Sequence, residues 1–195
     1  MGATLSQRIY WRILRELGLK EASWDKQYRA GVWCRGPNCP DTVSRVTALC
    51  RGGRLVEFGC GEGSLPNLLP RSSFSDYIGY DISPTAIERA RQRASLAGLS
   101  DCRFEQCDMS KWTGLASISL ILAEECLYYL NPPQIGTFLR RCSESLAPGG
   151  SILVIVHSGV KHARTLDACR QWCEVKAEEW VGPRAYLTLG PGRGC

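Results

Sequence analysis

From residue 54 onward, short apolar runs alternate with stretches of helical period. Residues 54–58, 76–80, 118–123 and 151–156 are rich in Leu, Ile, Val, Phe and Tyr, and these together with 102–106, which carries Phe104, are bounded by polar or turn residues, which predicts five strands. Helices fit between them. Ser83 precedes Pro84 at the head of a stretch running to about Ala97 and closed by Gly98, and Asn131 precedes Pro132 in another reaching Leu146, followed by Pro148-Gly149-Gly150. A Ser or Asn side chain can accept from the free N–H groups of a first helical turn, where Pro fits because its missing donor is not needed. Regular alternation of strand and helix predicts a parallel sheet covered on both faces. After a helix over 165–172, residues 174–180 and 185–189 read as two strands linked through Gly182-Pro183. So short a link makes an antiparallel hairpin, because a parallel crossover needs about a dozen residues. The expected fold is α/β: a doubly wound, seven-stranded sheet, mostly parallel, ending in that hairpin.

Ahead of the sheet, Thr4 or Ser6 can cap a helix whose apolar positions Ile9, Ile13, Leu14 and Leu17 follow the helical period, with Gly18 as its stop. Residues 22–40 read as an irregular aromatic lid carrying Trp24, Tyr28 and Trp33. Asp41 begins another helix through Val43, Val46 and Leu49, which Gly52-Gly53 ends. The organisation expected is one domain over 1–195, with a helical cap at 1–53 and an α/β core at 54–190.

At 195 residues the chain has the length of one domain, and 44% hydrophobic with 22% charged residues is ordinary for a packed core. No apolar run approaches the ~18 residues of a membrane span, and the start lacks a secretory apolar segment, so a soluble, cytoplasmic protein is expected. Eleven cysteines, an odd and irregularly spaced set, fit reduced thiols better than a disulfide framework. Cys126, Cys142, Cys169 and Cys173 lie in apolar stretches as small hydrophobes. Cys34 and Cys39 flank Gly36-Pro37, which reads as a turn rather than half a zinc site, since the only histidines are His157 and His162; no metal is expected. The net charge is +5. Arg8, Arg12 and Arg15 share one helical face and Arg89, Arg91 and Arg93 mark another, but neither set is interleaved with aromatics, which argues against a nucleic-acid partner. Neither oligomeric state nor a membrane partner is indicated.

The chemistry concentrates after the first strand, at Glu57-Phe58-Gly59-Cys60-Gly61-Glu62-Gly63. Alternating glycines at the carboxyl end of a strand let backbone approach a ligand, at the edge where open α/β sheets bind nucleotides. Asp81 closes the second strand 20 residues after Gly61, a separation at which its carboxylate can accept from ribose hydroxyls. Asp108 ends the third, where it can accept from an adenine amino group. A dinucleotide fingerprint wants its third glycine at position 64, which is Ser64, and a phosphate loop wants a Lys that is absent after Gly63.

These residues resemble the class I S-adenosylmethionine-dependent methyltransferases, a Rossmann-like family. The acid-x-Gly-x-Gly-x-Gly motif is matched by Glu57, Gly59, Gly61 and Gly63, the acid after strand two by Asp81, and the adenine-contacting acid by Asp108. The stretch Ser119 to Leu130, with Glu125, Tyr128 and Tyr129, is similar to that of nodulation-type N-methyltransferases and their small-molecule relatives, though Ser119 stands where that group has Asp. The resemblance implies S-adenosylmethionine as cofactor and S-adenosylhomocysteine as product. It also implies that the loop at Gly59, Cys60 and Gly61 meets the methionine moiety together with Glu124. Asp81 and Ile82 would meet the ribose, and Asp108, Met109 and Ser110 the adenine. Tyr28 and Trp33 would fold over the cofactor, and Trp24, Tyr128 and Tyr129 would face the acceptor.

Methyl transfer from a sulfonium is an in-line displacement in which alignment of the nucleophile supplies most of the catalysis. A base is needed only when the acceptor must lose a proton, and the candidates are Glu125, His157 and the Tyr128/Tyr129 pair. The first expectation is methyl transfer to N or O of a small molecule, since little chain outside the sheet is left for recognition. The alternatives are a methyltransferase acting on RNA or protein, and a non-catalytic or NAD-binding protein of the same fold.

Overall fold

The computed structural model describes residues 5, 9–10, 13–14, 18–33 and 40–192. Seven strands, β1 (Arg54–Phe58), β2 (Asp76–Asp81), β3 (Cys102–Gln106), β4 (Ile118–Glu124), β5 (Leu146–Val156), β6 (Cys173–Val181) and β7 (Arg184–Gly192), form one sheet in the order β3-β2-β1-β4-β5-β7-β6. The first five are parallel, and β7 runs antiparallel to both β5 and β6. The seven-stranded doubly wound sheet with its terminal hairpin is therefore as the sequence pattern predicts.

Helices cover both faces. On one, α2 (Pro40–Cys50) and α3 (Pro84–Leu96) bury Val46, Ile87 and Ala90 against Leu55, Leu120 and Leu153. On the other, α4 (Pro132–Ser145) and α5 (Ala163–Trp172) bury Phe138, Leu139 and Leu166 against Phe58, Ile121 and Val154. Burial on both faces is why β1, β4 and β5 read as continuous apolar runs rather than alternating ones. The caps are those expected: Ser83 Oγ accepts from Ala86 N–H at 3.2 Å. At the head of α4, Asn131 Oδ1 accepts from Gln134 N–H at 3.0 Å while Gln134 Oε1 accepts from Asn131 N–H at 3.1 Å, a reciprocal capping box.

Two boundaries differ. Residues 22–40 are not wholly irregular, because α1 (Lys20–Arg29) is a helix. Strand β5 begins at Leu146 rather than 151, where Leu146 pairs with Ile118 before an irregularity restores the register at Ser151. Of the expected N-terminal helix, the described residues Leu5, Ile9, Tyr10, Ile13 and Leu14 are helical. Cys34 and Cys39 lie outside the described residues, as do Arg8, Arg12 and Arg15. Among the described residues, Cys142, Cys169 and Cys173 are fully buried, and no helix is long and apolar enough to cross a membrane.

Candidate active site

The carboxyl ends of the parallel strands share one edge, and the chain order reverses between β1 and β4, which opens a crevice there. A cavity of about 310 Å³ lies at that edge. Into it β1 brings Gly59, β2 brings Asp81 and Ile82, and the turn after β3 brings Asp108 and Met109. Strand β4 adds Glu124 at its end, and the turn beyond it Glu125, Tyr128 and Tyr129; α1 and the turn after it supply Trp24, Tyr28 and Trp33. The rings interlock, with Trp24 edge-on to Tyr129 at 4.8 Å and tilted against Trp33 at 5.7 Å.

The glycine loop is shaped for close approach. Gly59 has φ +73°, and a Cβ there would lie 2.9 Å from Cys126 Cβ. Gly61 has φ +54°, and a Cβ would meet the Tyr28 hydroxyl at 2.9 Å. Both positions exclude a side chain on conformational and steric grounds. The Gly59 and Cys60 N–H groups donate to Tyr80 O at 2.8 and 3.0 Å, which folds the loop back on β2. Gly63 lies away from the cavity, where a Cβ would be 2.7 Å from Phe104, and the Cys60 side chain is buried beneath Gly79.

Asp81 clasps this loop. Its Oδ2 accepts from Gly61 N–H at 3.0 Å and its Oδ1 from Ser83 N–H at 2.9 Å, with the Tyr28 hydroxyl as a further donor. Burial pushes its carboxyl up to about 6, against the pull of these hydrogen bonds. Burial and the Asp81 charge raise the Tyr28 phenol, so Tyr28 remains a donor. Asp25 of α1 accepts from Ser83 Oγ at 2.9 Å and Thr85 N–H at 3.0 Å, and pairs with Arg29 at 2.8 Å. Burial works against its charge, but these partners outweigh it and hold the carboxyl below the usual range. Arg89 completes the tie, donating to Tyr28 O at 2.9 Å and Glu62 Oε1 at 2.8 Å.

The other acids divide by role. Asp108 Oδ1 accepts from Ser110 N–H at 2.9 Å and Ser110 Oγ at 2.7 Å, so Ser110 braces Asp108 and does not itself line the cavity. Glu124 Oε1 accepts from Thr42 Oγ1 at 3.0 Å, which ties α2 to the site. Glu125 is a non-glycine residue at φ 56°; its N–H donates to Ile155 O at 3.0 Å and its Oε2 accepts from the Tyr128 hydroxyl at 3.1 Å. Its Oε1 is buried without a hydrogen-bond partner among the described residues. Glu57 does not reach the cavity: it is buried in the sheet and accepts from the Tyr77 hydroxyl. Burial raises its carboxyl to about 8, with Glu124 and Asp81 adding to the shift.

His157 is not brought to the cavity either. It is exposed in the bend just past β5, a strand whose Leu153 and Ile155 pack on the α2 and α3 face. Tyr128 and Leu130 pack on the opposite face, and the histidine beside them is His162, whose ring stacks on Tyr128 at 3.9 Å and 13°. The cavity also takes Lys20, Tyr80, Cys107, Cys126 and Leu130, which the sequence reading passed over. Tyr80 and Cys107 immediately precede Asp81 and Asp108, and a strand end presents neighbouring residues to a cavity at its tip, so that signal was available. Lys20, whose Nζ donates to Tyr129 O at 3.2 Å, carries none.

The residues fit an adenosyl sulfonium. The loop at Gly59 leaves room for a ligand, carboxylates stand at the ends of β3, β2 and β4, and among the described residues the lining carries Asp81, Asp108, Glu124 and Glu125 against one cation, Lys20. Such a lining would repel a pyrophosphate.

A family described as Methyltransferase domain matches residues 55–150. Trans-aconitate 2-methyltransferase of Methylobacterium nodulans is 34% identical over 135 residues, covering 68% of this chain and 49% of the relative. Its namesake from Streptomyces coelicolor is 28% identical over 188 residues, covering 89% and 61%. The chain thus spans about half to three fifths of the length of these relatives. In fold it is similar to the N-methyltransferase NodS of Bradyrhizobium japonicum in complex with S-adenosylhomocysteine, with TM-score 0.63 and 18% identity over 80% of this chain and 87% of that one.

Proposed function

The chain belongs to the class I S-adenosylmethionine-dependent methyltransferases, and from that premise we propose that it transfers a methyl group to N or O of a small molecule. The observation that carries this reading is the convergence of Gly59, Asp81, Asp108 and Glu124, from four adjacent strand ends, on one cavity.

When bound, S-adenosylmethionine supplies an electrophilic methyl group on a sulfonium. The chain's own part is to bind, align and exclude water. Ionised Asp81, with Ile82 beside it, accepts from the ribose hydroxyls, and Asp108 with Met109 meets the adenine. The backbone at Gly59 and the Glu124 carboxylate face the methionine end, and Tyr28 and Trp33 close over it. Trp24, Tyr128 and Tyr129 make an aromatic wall against which a small acceptor is held in line, and alignment is the larger share of the catalysis. Glu125 serves as the base: its unpartnered Oε1 can accept the proton of an N–H or O–H acceptor, while Tyr128 holds the other oxygen. A carboxylate there also favours a cationic donor electrostatically. Two of the relatives are named for a small acceptor, trans-aconitate, which supports the small-molecule reading.

Incubation with methyl-labelled S-adenosylmethionine and separate pools of small amines, phenols and carboxylates, RNA and protein tests this. Label entering a small-molecule pool supports it; label entering only RNA or protein contradicts it.

A further inference from the structure

Tyr128 and Leu130 wall a second space. On their far side lies a groove of about 510 Å³, floored by Pro132 and Ile135 and bordered by Lys161, His162 and Arg164. Its floor is apolar, since Leu130 and Ile135 are buried, and its charge has one sign. Among the described residues, no Asp or Glu lines it. Arg45, Arg54, Arg89, Arg103 and Arg170 each hold a carboxylate, but Lys161 and Arg164 have no ion-pair partner among the described residues. The charges are felt locally: burial and the Lys161 ammonium together lower the pKa of His162. The cavity across the wall is opposite in character, with four carboxylates against Lys20. Two adjoining compartments of opposite charge, divided by one tyrosine and one leucine, suit a ligand with two unlike ends.

We propose that this groove is an anion subsite, which holds a carboxylate or phosphate group of the acceptor while the atom to be methylated lies across Tyr128 beside Glu125. The inference rests on the methyl-transfer reading for the placement of the acceptor, and on the groove alone for the anion. Unpaired cations over an apolar floor attract an anion and repel a cation, so the groove selects by sign as well as by strength. The stacked His162 ring fixes the Tyr128 wall between the compartments.

The chain has only two histidines, and His157 is exposed outside the groove, so their ring signals in NMR form a probe and an internal control. A His157→Gln variant assigns them. Citrate, inorganic phosphate and neutral glycerol are titrated separately at low salt into the full chain. The expected result is a saturable, millimolar shift of the His162 signals with citrate or phosphate, none with glycerol, and little at His157. The tighter anion identifies the group. Replacing Lys161 and Arg164 together by Ala removes two exposed charges and should weaken that binding about tenfold, with affinity for S-adenosylhomocysteine unchanged. No saturable shift at His162, an equal shift with glycerol, or an anion affinity unchanged by the double substitution would overturn the subsite. Failure of the parent chain to bind S-adenosylhomocysteine, with the anion shift retained, overturns the methyl-transfer reading and not the anion site.

Discussion

Asp81 Oδ2 accepts the Gly61 N–H at 3.0 Å, so a single carboxylate joins the end of β2 to the glycine loop that follows β1. The same carboxylate is the proposed ribose acceptor, and its two duties depend on its charge. Asp81→Asn should reduce affinity for S-adenosylhomocysteine by about tenfold or more, the loss of one charge-assisted hydrogen bond. The raised carboxyl, at about 6, also gives a pH dependence. Affinity should hold near neutral pH and fall as pH drops through about 6, because protonation removes the acceptor charge. Calorimetric titrations across that range check it; a constant affinity would place the ribose elsewhere.

Asp25 ties the helix α1 to the head of α3. Asp25→Ala removes the acceptor for Ser83 Oγ and Thr85 N–H and is expected to cost about 1–3 kcal/mol. Arg29→Ala breaks the ion pair to Asp25 and a hydrogen bond to Thr85 Oγ1 at 3.3 Å, both made by a largely exposed guanidinium, and should cost under about 1 kcal/mol. Urea unfolding of both variants, with limited proteolysis over residues 18–33, separates the two effects. Equal losses would show that the ion pair, rather than the cap contact, holds the helix.

The polar character of that tie explains why α1 was hidden in the sequence. Its buried residues are Ser23, Asp25 and Gln27, so apolar periodicity had nothing to register. The sheet was legible for the opposite reason: strands buried on both faces leave apolar runs, and Ser83-Pro84 and Asn131-Pro132 mark helix starts by their capping chemistry. Pro148-Gly149-Gly150 reads as a break, yet the chain there already pairs through Leu146, because β5 begins ahead of an irregularity. In the site, glycines and acids at strand ends were visible, since strand ends on a parallel sheet share an edge. Which histidine stands beside Tyr128 was not, because that depends on where the turn after β5 carries His162.

Glu57 predicts an alkaline weakness. Its carboxyl is raised to about 8 in the fold from an ordinary 4.5, so its protonated form stabilises the native state below about 4.5, and that contribution is lost as pH rises through about 8. Glu57→Gln should therefore match the parent in acid and exceed it in stability above about pH 8. Thermal melts of both proteins from about pH 5 to about pH 9 measure the divergence. Parallel curves would show that Glu57 titrates normally.

Glu125 carries a left-handed backbone that a Glu adopts at a cost. Glu125→Gly relieves it, and should leave stability within about 1 kcal/mol of the parent or above it, while methyl transfer to an acceptor that must lose a proton falls sharply. Glu125→Gln should keep the fold and lose turnover with little change in cofactor affinity. A destabilised glycine variant with full turnover would make Glu125 a structural residue and not the base.

The cavity over β1, β2, β3 and β4 is proposed to bind an adenosyl sulfonium and not a dinucleotide. Calorimetric titration of the purified chain with S-adenosylhomocysteine and, separately, with NAD tests it directly. The expected result is saturable one-to-one binding of S-adenosylhomocysteine that weakens in Asp81→Asn, and no binding of NAD. Binding of NAD alone, or of neither ligand, would contradict it.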